Sequence, residues 1–107
     1  MEWTRAPREA ERIAREGVRA GLERIVVAGG DGTTSEVVSG LLDAQLGNYA
    51  EVAPLPLGTG GDMLRTLRVP RRLDRALEGI AQGSSRKIDA GRVRYTDRDG
   101  RERTAHF

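Results

Sequence analysis

The chain has 107 residues, 37% of them hydrophobic and 4% aromatic, which is enough for one small domain and too little for two full ones. Charged residues make up 32%, yet 18 basic side chains stand against 16 acidic ones, a formal charge of +2, and sequence-blind nucleic-acid binding, which rests on a larger one-sided charge, is not expected. The lack of cysteine and the single histidine, His106, exclude disulfides, thiolate metal sites and histidine clusters. No apolar run approaches the roughly 20 residues of a membrane span and no signal-peptide pattern opens the chain, so the expectation is a soluble, cytoplasmic protein.

In chain order, Pro7 to Gly21 reads as a helix. Ala10, Ile13, Ala14, Gly17 and Gly21 share a narrow small-residue face, Gly21 is the stop, and Glu11 with Arg15 forms an i,i+4 pair on the solvent side. Glu23 to Ala28 reads as a strand whose unbroken run Ile25-Val26-Val27-Ala28 suits a parallel strand buried on both faces. Gly29-Gly30-Asp31-Gly32-Thr33 follows as a loop. Ser35 to Leu46 is then a helix with Val37, Val38, Leu41 and Leu42 on one side. Glu51 to Leu57 is a second strand, which Pro54 and Pro56 place near an edge. A second loop, Gly58-Thr59-Gly60-Gly61, opens a short helix from Asp62 to Leu67. Pro70 breaks the chain, and 71 to 82 forms a further helix with Leu73, Ala76, Leu77 and Ile80 apolar. From Arg86 the pattern changes. Residues 87 to 95 read as a strand, Asp97-Arg98-Asp99-Gly100 as a turn and 103 to 107 as a returning strand. The fold class is therefore α/β: a partial three-layer parallel sheet with helices over residues 1–84, ending in the first hairpin of a β-rich second domain over 85–107.

Two glycine loops after two successive strands lie where parallel α/β sheets bind ligands, at the C-terminal edge. Phosphate recognition needs backbone N–H groups turned into one concave space, which glycine permits and a following helix N-terminus reinforces. Thr33 and Thr34 add hydroxyls. Asp31 admits two readings: a carboxylate beside a phosphate needs a cation or a transferable proton between them, whereas in a plain turn it would cap the helix. Neither loop is the dinucleotide fingerprint, and neither is a Walker A loop.

Val26-Val27-Ala28-Gly29-Gly30-Asp31-Gly32-Thr33-Thr34-Ser35-Glu36-Val37, with Gly40-Leu41 behind it, resembles the nucleotide-binding motif of the diacylglycerol kinase catalytic domain family, a group of bacterial-type lipid kinases related to sphingosine kinases. Pro56-Leu57-Gly58-Thr59-Gly60-Gly61-Asp62-Met63-Leu64-Arg65 resembles that family's second motif. Thr4 ahead of a helix resembles its upstream threonine, and Ile88 to Val93 resembles the entry to its second domain. The resemblance implies ATP-dependent transfer of the γ-phosphoryl group to a lipid hydroxyl, such as that of diacylglycerol or a sphingoid base, with Mg²⁺. The family's ATP contacts fall on Thr4, on Gly30, Asp31, Gly32, Thr33, Thr34, Ser35 and Glu36, and on Thr59. Gly29, Gly58, Gly60 and Asp62 complete the two loops. Asp31 takes the catalytic place near the phosphates and magnesium, and Asp62 organises the second loop.

Two departures accompany the resemblance. Gly61 stands where the family has Asn. The family also has a strand with an Asn-Pro loop before Thr4 and a β-rich domain after Phe107, and its general base, a Glu, and its structural magnesium site lie in that part. The resemblance thus implies a fragment, with no catalytic base to name here. Glu36 and Glu51 do not match the motif position. The alternatives are a non-catalytic ATP-binding module, an inactive truncated remnant and, more remotely, a kinase of NAD, which shares the first motif but has an Asn-led second one.

Arg65, Arg68, Arg71, Arg72 and Arg75 form a basic run that reads as a solvated face; the functional alternative is a peripheral contact with anionic lipid at the inner face of the membrane. Trp3 is expected to pack locally or to be disordered at the terminus. His106 is given no site role, and Tyr95 and Phe107 read as β-core of the second domain. Bare strand edges leave room for a homodimer.

Overall fold

In the computed structural model, which describes every residue from Met1 to Phe107, helix α1 (Glu9–Arg19) precedes strand β1 (Arg24–Gly29), helix α2 (Asp31–Asp43) and strand β2 (Glu51–Pro56). Two shorter helices, α3 (Asp62–Thr66) and α4 (Leu73–Gln82), lead to the strands β3 (Arg92–Thr96) and β4 (Glu102–His106). β1 and β2 pair in parallel, with Arg24 opposite Glu51 and Gly29 opposite Pro56. β3 and β4 form a separate antiparallel pair, with Arg92 opposite His106.

α1 ends where its sequence says it should. Gly21 takes φ +99°, a conformation that a Cβ would strain. The N–H of Leu22 bonds to the Gly17 carbonyl and that of Gly21 to the Val18 carbonyl, both at 3.0 Å, the paired bonds of a Schellman stop. The buried face is Ala10, Ala14 and Val18, with Ile13 and Gly17 half-buried and Gly21 exposed. The expected Glu11–Arg15 pair does not form. The Glu11 backbone lies against α2, and its carboxylate bonds to Arg8 at 2.9 Å, while Arg12 pairs with Glu9 and Glu16.

The α1–α2 contact is backbone to backbone. A Cβ built on Gly40 would stand 2.5 Å from the Glu11 carbonyl oxygen, so α2 approaches this closely only because position 40 has no side chain. Ala10, Ala14 and Val18 of α1, Val27 of β1, and Val37 and Leu41 of α2 form one buried cluster, against which Ile25, Leu46, Ala50 and Val52 pack. α2 begins at Asp31 rather than Ser35, because the Thr34 N–H and hydroxyl both donate to the Gly30 carbonyl, at 3.1 and 3.2 Å, and draw residues 31–34 into its first turn. It ends before Leu46 because Gln45, at φ +59°, turns the chain so that the Leu46 N–H reaches the Leu41 carbonyl at 2.7 Å.

Strand alternation places Ile25, Val27 and Val52 under α1 and α2, and Val26, Ala28 and Leu55 on the opposite face. On that face Arg24 bonds to Glu51 at 2.6 Å and to the Ile80 carbonyl of α4 at 3.2 Å. Hydrogen bonds from Ser85, and then from Arg24, hold the Glu51 carboxyl below its ordinary range. The result is the expected three layers, helices on both faces of a parallel sheet, followed by an antiparallel hairpin. One expectation fails. Val26 is 47% exposed, so β1 is not buried on both faces: α4 packs against β2 and leaves this face of β1 uncovered.

Strand pairing in the hairpin runs from Arg92, later than expected, and the Gly91–Phe107 pair exchanges two further backbone bonds just outside it. Asp97 organises the turn: one carboxylate oxygen accepts the N–H groups of Asp99 and Arg101, both at 2.9 Å, and the other accepts Arg103 Nε at 2.8 Å. Within these residues Tyr95 and Phe107 are exposed, Phe107 with its ring over Gly91, and Trp3 is exposed as well. β4 docks on α2 through His106, whose side chain is 6% exposed, with Nδ1 3.6 Å from Asp43.

Two outcomes follow for stability. Gly40→Ala should destabilise the chain by about 1–3 kcal/mol through overpacking, read as a lower urea midpoint with an unchanged slope. The bonds from Arg103 and then the Arg101 amide hold Asp97 below its ordinary value of 3.8. Their stabilisation is complete above that value and is lost as the pH falls through the lowered one. Cross-strand NOEs of the hairpin should therefore weaken on acidification below 3.8, and Asp97→Ala should remove that pH dependence.

Candidate functional site

The parallel register brings the ends of β1 and β2 level, so the two glycine-rich segments emerge side by side. The first is shorter than the sequence implies. Only Gly30 lies between β1 and α2, and none of Gly29, Gly30 and Gly32 takes a positive φ; Gly30 is extended at φ −88°, ψ −173°. Their value is therefore space. A Cβ on Gly58 would collide with Gly30 Cα and stand 3.0 Å from Gly30 N. The two loops touch backbone to backbone at this point.

Asp31, the first residue of α2, fastens them. Its Oδ2 accepts the N–H of Gly61 at 3.1 Å and the N–H of Asp62 at 3.2 Å. The carboxylate thus meets the N–H groups at the start of α3, an arrangement that suits a negative charge. Gly61 takes φ +107° to present its N–H, and this backbone freedom stands where the resembled family carries an Asn side chain. The second loop is organised by the Asp31 carboxylate and the Asp62 amide. The Asp62 side chain itself is 86% exposed and pairs with Arg65 at 3.2 Å.

The expected site residues separate into groups. Gly29, Gly30, Asp31, Thr34 and Gly58 line a recess between the loops, together with Pro54, Leu55, Gly61, Met63 and Leu64. It has room for about 10 Å³, the space of one water, so the loops as they stand are closed on each other. The Thr34 hydroxyl is buried and committed to the Gly30 carbonyl. Gly32 faces open space, and Gly60 borders Asp31 Oδ2. Ser35 and Glu36 line a different, polar cleft of about 620 Å³ between α1, α2 and the hairpin. Thr4, Thr33 and Thr59 line neither space, and Thr4 lies in the exposed leader before α1. Sequence reasoning missed Gly61 as a donor; the Gly-Gly pair just ahead of a helix-opening Asp was the available signal.

Electrostatically, α2 has no side-chain cap, so the amides of its first turn are free to meet an anion. No three acidic or imidazole side chains converge on one point. A magnesium ion is commonly held by one or two carboxylates together with substrate phosphates, and the second oxygen of Asp31 fits that donor set. No helix is long and apolar enough to cross a membrane.

The model of the diacylglycerol kinase catalytic domain matches residues 1–93. The chain belongs to the diacylglycerol kinase catalytic domain family. Relatives within reach of it carry lipid-kinase names. The chain is 36% identical over 85 residues to a "probable lipid kinase YegS-like" of Citrobacter koseri, and equally so to proteins named "probable lipid kinase YegS" of Salmonella arizonae and Salmonella heidelberg. Each match covers 79% of this chain and 28% of the relative. The chain thus spans under a third of the length of the curated relatives it matches. Both glycine loops of the family pattern fall inside the matched residues.

The latch predicts a measurable order among variants. Asp31→Ala should cost about 1–3 kcal/mol, since a charged acceptor shared by two amides is lost, and hydrogen exchange at Gly61 and Asp62 should speed up accordingly. Asp31→Asn, which keeps one acceptor oxygen, should fall between. Unchanged exchange at both amides in Asp31→Ala would remove the latch from this account.

Proposed function

We propose that this chain is the nucleotide-binding part of an ATP-dependent lipid kinase, in which residues 1–84 cradle the phosphates of ATP and 85–107 open a β-rich second domain. The observation that carries this reading is the fastening of two glycine loops at the C-terminal ends of parallel β1 and β2 by Asp31. Family membership supplies the lipid-kinase class, and the acceptor is a lipid hydroxyl, with diacylglycerol the leading candidate and a sphingoid base the next. Such an acceptor brings the protein to a membrane surface as a peripheral visitor.

Phosphoryl transfer is mostly positioning and charge neutralisation. In this reading the amides of Gly32 and Thr33, at the open start of α2, donate to phosphate oxygens. Gly30 and Gly58 keep Cβ atoms out of the approach, and Thr33 and Thr59 add hydroxyl donors. Asp31 holds the second loop against the first with one oxygen and offers the other to Mg²⁺, which when bound neutralises phosphate charge and orients the transferred group. Opening of the closed recess accompanies nucleotide entry.

Calorimetric titration of the chain with Mg²⁺ and ATP tests the nucleotide reading, and transfer of labelled γ-phosphoryl to diacylglycerol or sphingosine in mixed micelles tests the acceptor. Saturable ATP binding that adenosine does not reproduce is expected, and Asp31→Ala should weaken it at least about tenfold, the loss of an ion-supported contact. A folded chain that gives no ATP heat overturns the proposal. Binding without transfer leaves the nucleotide site standing and assigns the chemistry to groups outside these residues.

A further inference from the structure

Three arginines of the basic run 65–75 are already engaged. Arg65 pairs with Asp62 at 3.2 Å, Arg72 with Asp74 at 2.7 Å and Arg75 with Glu78 at 2.8 Å. Arg71 is exposed and forms no ion pair. Its position follows from the backbone. Arg68 takes φ +58° and closes α3: its N–H bonds to the Arg65 carbonyl at 3.1 Å and that of Val69 to the Leu64 carbonyl at 2.8 Å, a Schellman stop with arginine where glycine is usual. Pro70 prevents the helix from resuming, and the Arg86 guanidinium holds the turn through the Leu67 carbonyl at 2.8 Å. This reversal carries Arg71 back to the beginning of α3. Its Nη2 stands 3.5 Å from the place a Cβ on Gly61 would occupy, beside the residue whose N–H is bonded to Asp31.

We propose that Arg71 is a phosphate ligand at the junction of the two glycine loops, a role that rests on the nucleotide reading above and adds to it a cationic side chain of the protein itself. The junction also holds the carboxylates of Asp31 and Asp62, the latter paired with Arg65. A polyphosphate with several negative charges would meet a negative junction there. Arg71 reverses that balance with a planar, permanently charged guanidinium suited to bidentate contact with phosphate oxygens. The guanidinium thus lies within ordinary contact distance of position 61.

The test is a calorimetric titration of the chain and three variants with Mg²⁺ and ATP, with inorganic tripolyphosphate and with adenosine. Arg71→Ala should weaken binding of ATP and of tripolyphosphate about tenfold and flatten its dependence on salt, with the thermal unfolding midpoint unchanged. Arg71→Lys should restore part of the affinity, since it returns the charge without the fork. Arg75→Ala, which removes a guanidinium held by Glu78, should bind as the unaltered chain does. Equal polyphosphate affinity in Arg71→Ala and the unaltered chain overturns the assignment. If the unaltered chain binds tripolyphosphate but not ATP, and Arg71→Ala loses it, the phosphate ligand stands and the nucleotide reading falls. If the unaltered chain binds neither, both fall.

Discussion

The contact between Gly30 and Gly58 is the constraint on which the site depends. Two backbone segments from separate β-α units meet at a distance that no Cβ would allow, and Asp31 then has only a short reach to the amides of Gly61 and Asp62. The parallel register sets this up. Because Gly29 lies opposite Pro56, both chains leave the sheet at the same height and turn toward each other. The small size of the recess is a direct result: the loops are held shut by contact and by two hydrogen bonds to the Asp31 carboxylate.

The rest of the molecule supports that junction with little material. Only 13 of 107 residues are buried, so the core is small and its loss margin narrow. The stability that exists is concentrated on one side, where Ala10, Ala14 and Val18 press α1 onto α2 and Val37 and Leu41 press α2 onto β1. This is the side that aims the N-terminus of α2 at the loop junction. The other side of the sheet is held more by polar ties, Arg24 to Glu51 and to the Ile80 carbonyl. The hairpin is tethered to α2 mainly through β4 and His106.

Charge is used locally. A chain with many arginines and a formal charge of +2 sets several of them beside an acid three or four residues away, as Arg12 lies beside Glu9 and Glu16 and Arg75 beside Glu78. Such exposed pairs contribute little to stability. Arg71 forms no such pair, and its place beside Gly61 comes from its neighbours in space and not from its own sequence context.

The elements and the family were legible in the sequence because both are local. Apolar periodicity marks the helices, and the pair of glycine motifs at their spacing identifies the diacylglycerol kinase catalytic domain pattern. The Gly-Gly-Asp-Gly run reads as a loop, however, and the structure makes most of it the first turn of α2, since two bonds from Thr34 to the Gly30 carbonyl outweigh the poor helix propensity of Gly32. The run Ile25 to Ala28 reads as doubly buried, and Val26 is open because that face of β1 lacks a cover. By itself the sequence determined where most helices and strands fall and which two glycine motifs carry the family pattern, since these depend on neighbours along the chain. Only the tertiary structure decided that Asp31 joins the loops, that Ser35 and Glu36 face a separate cleft, and that Arg71 returns to Gly61. Those facts depend on register and on close approach between residues distant in sequence, and no local pattern encodes them.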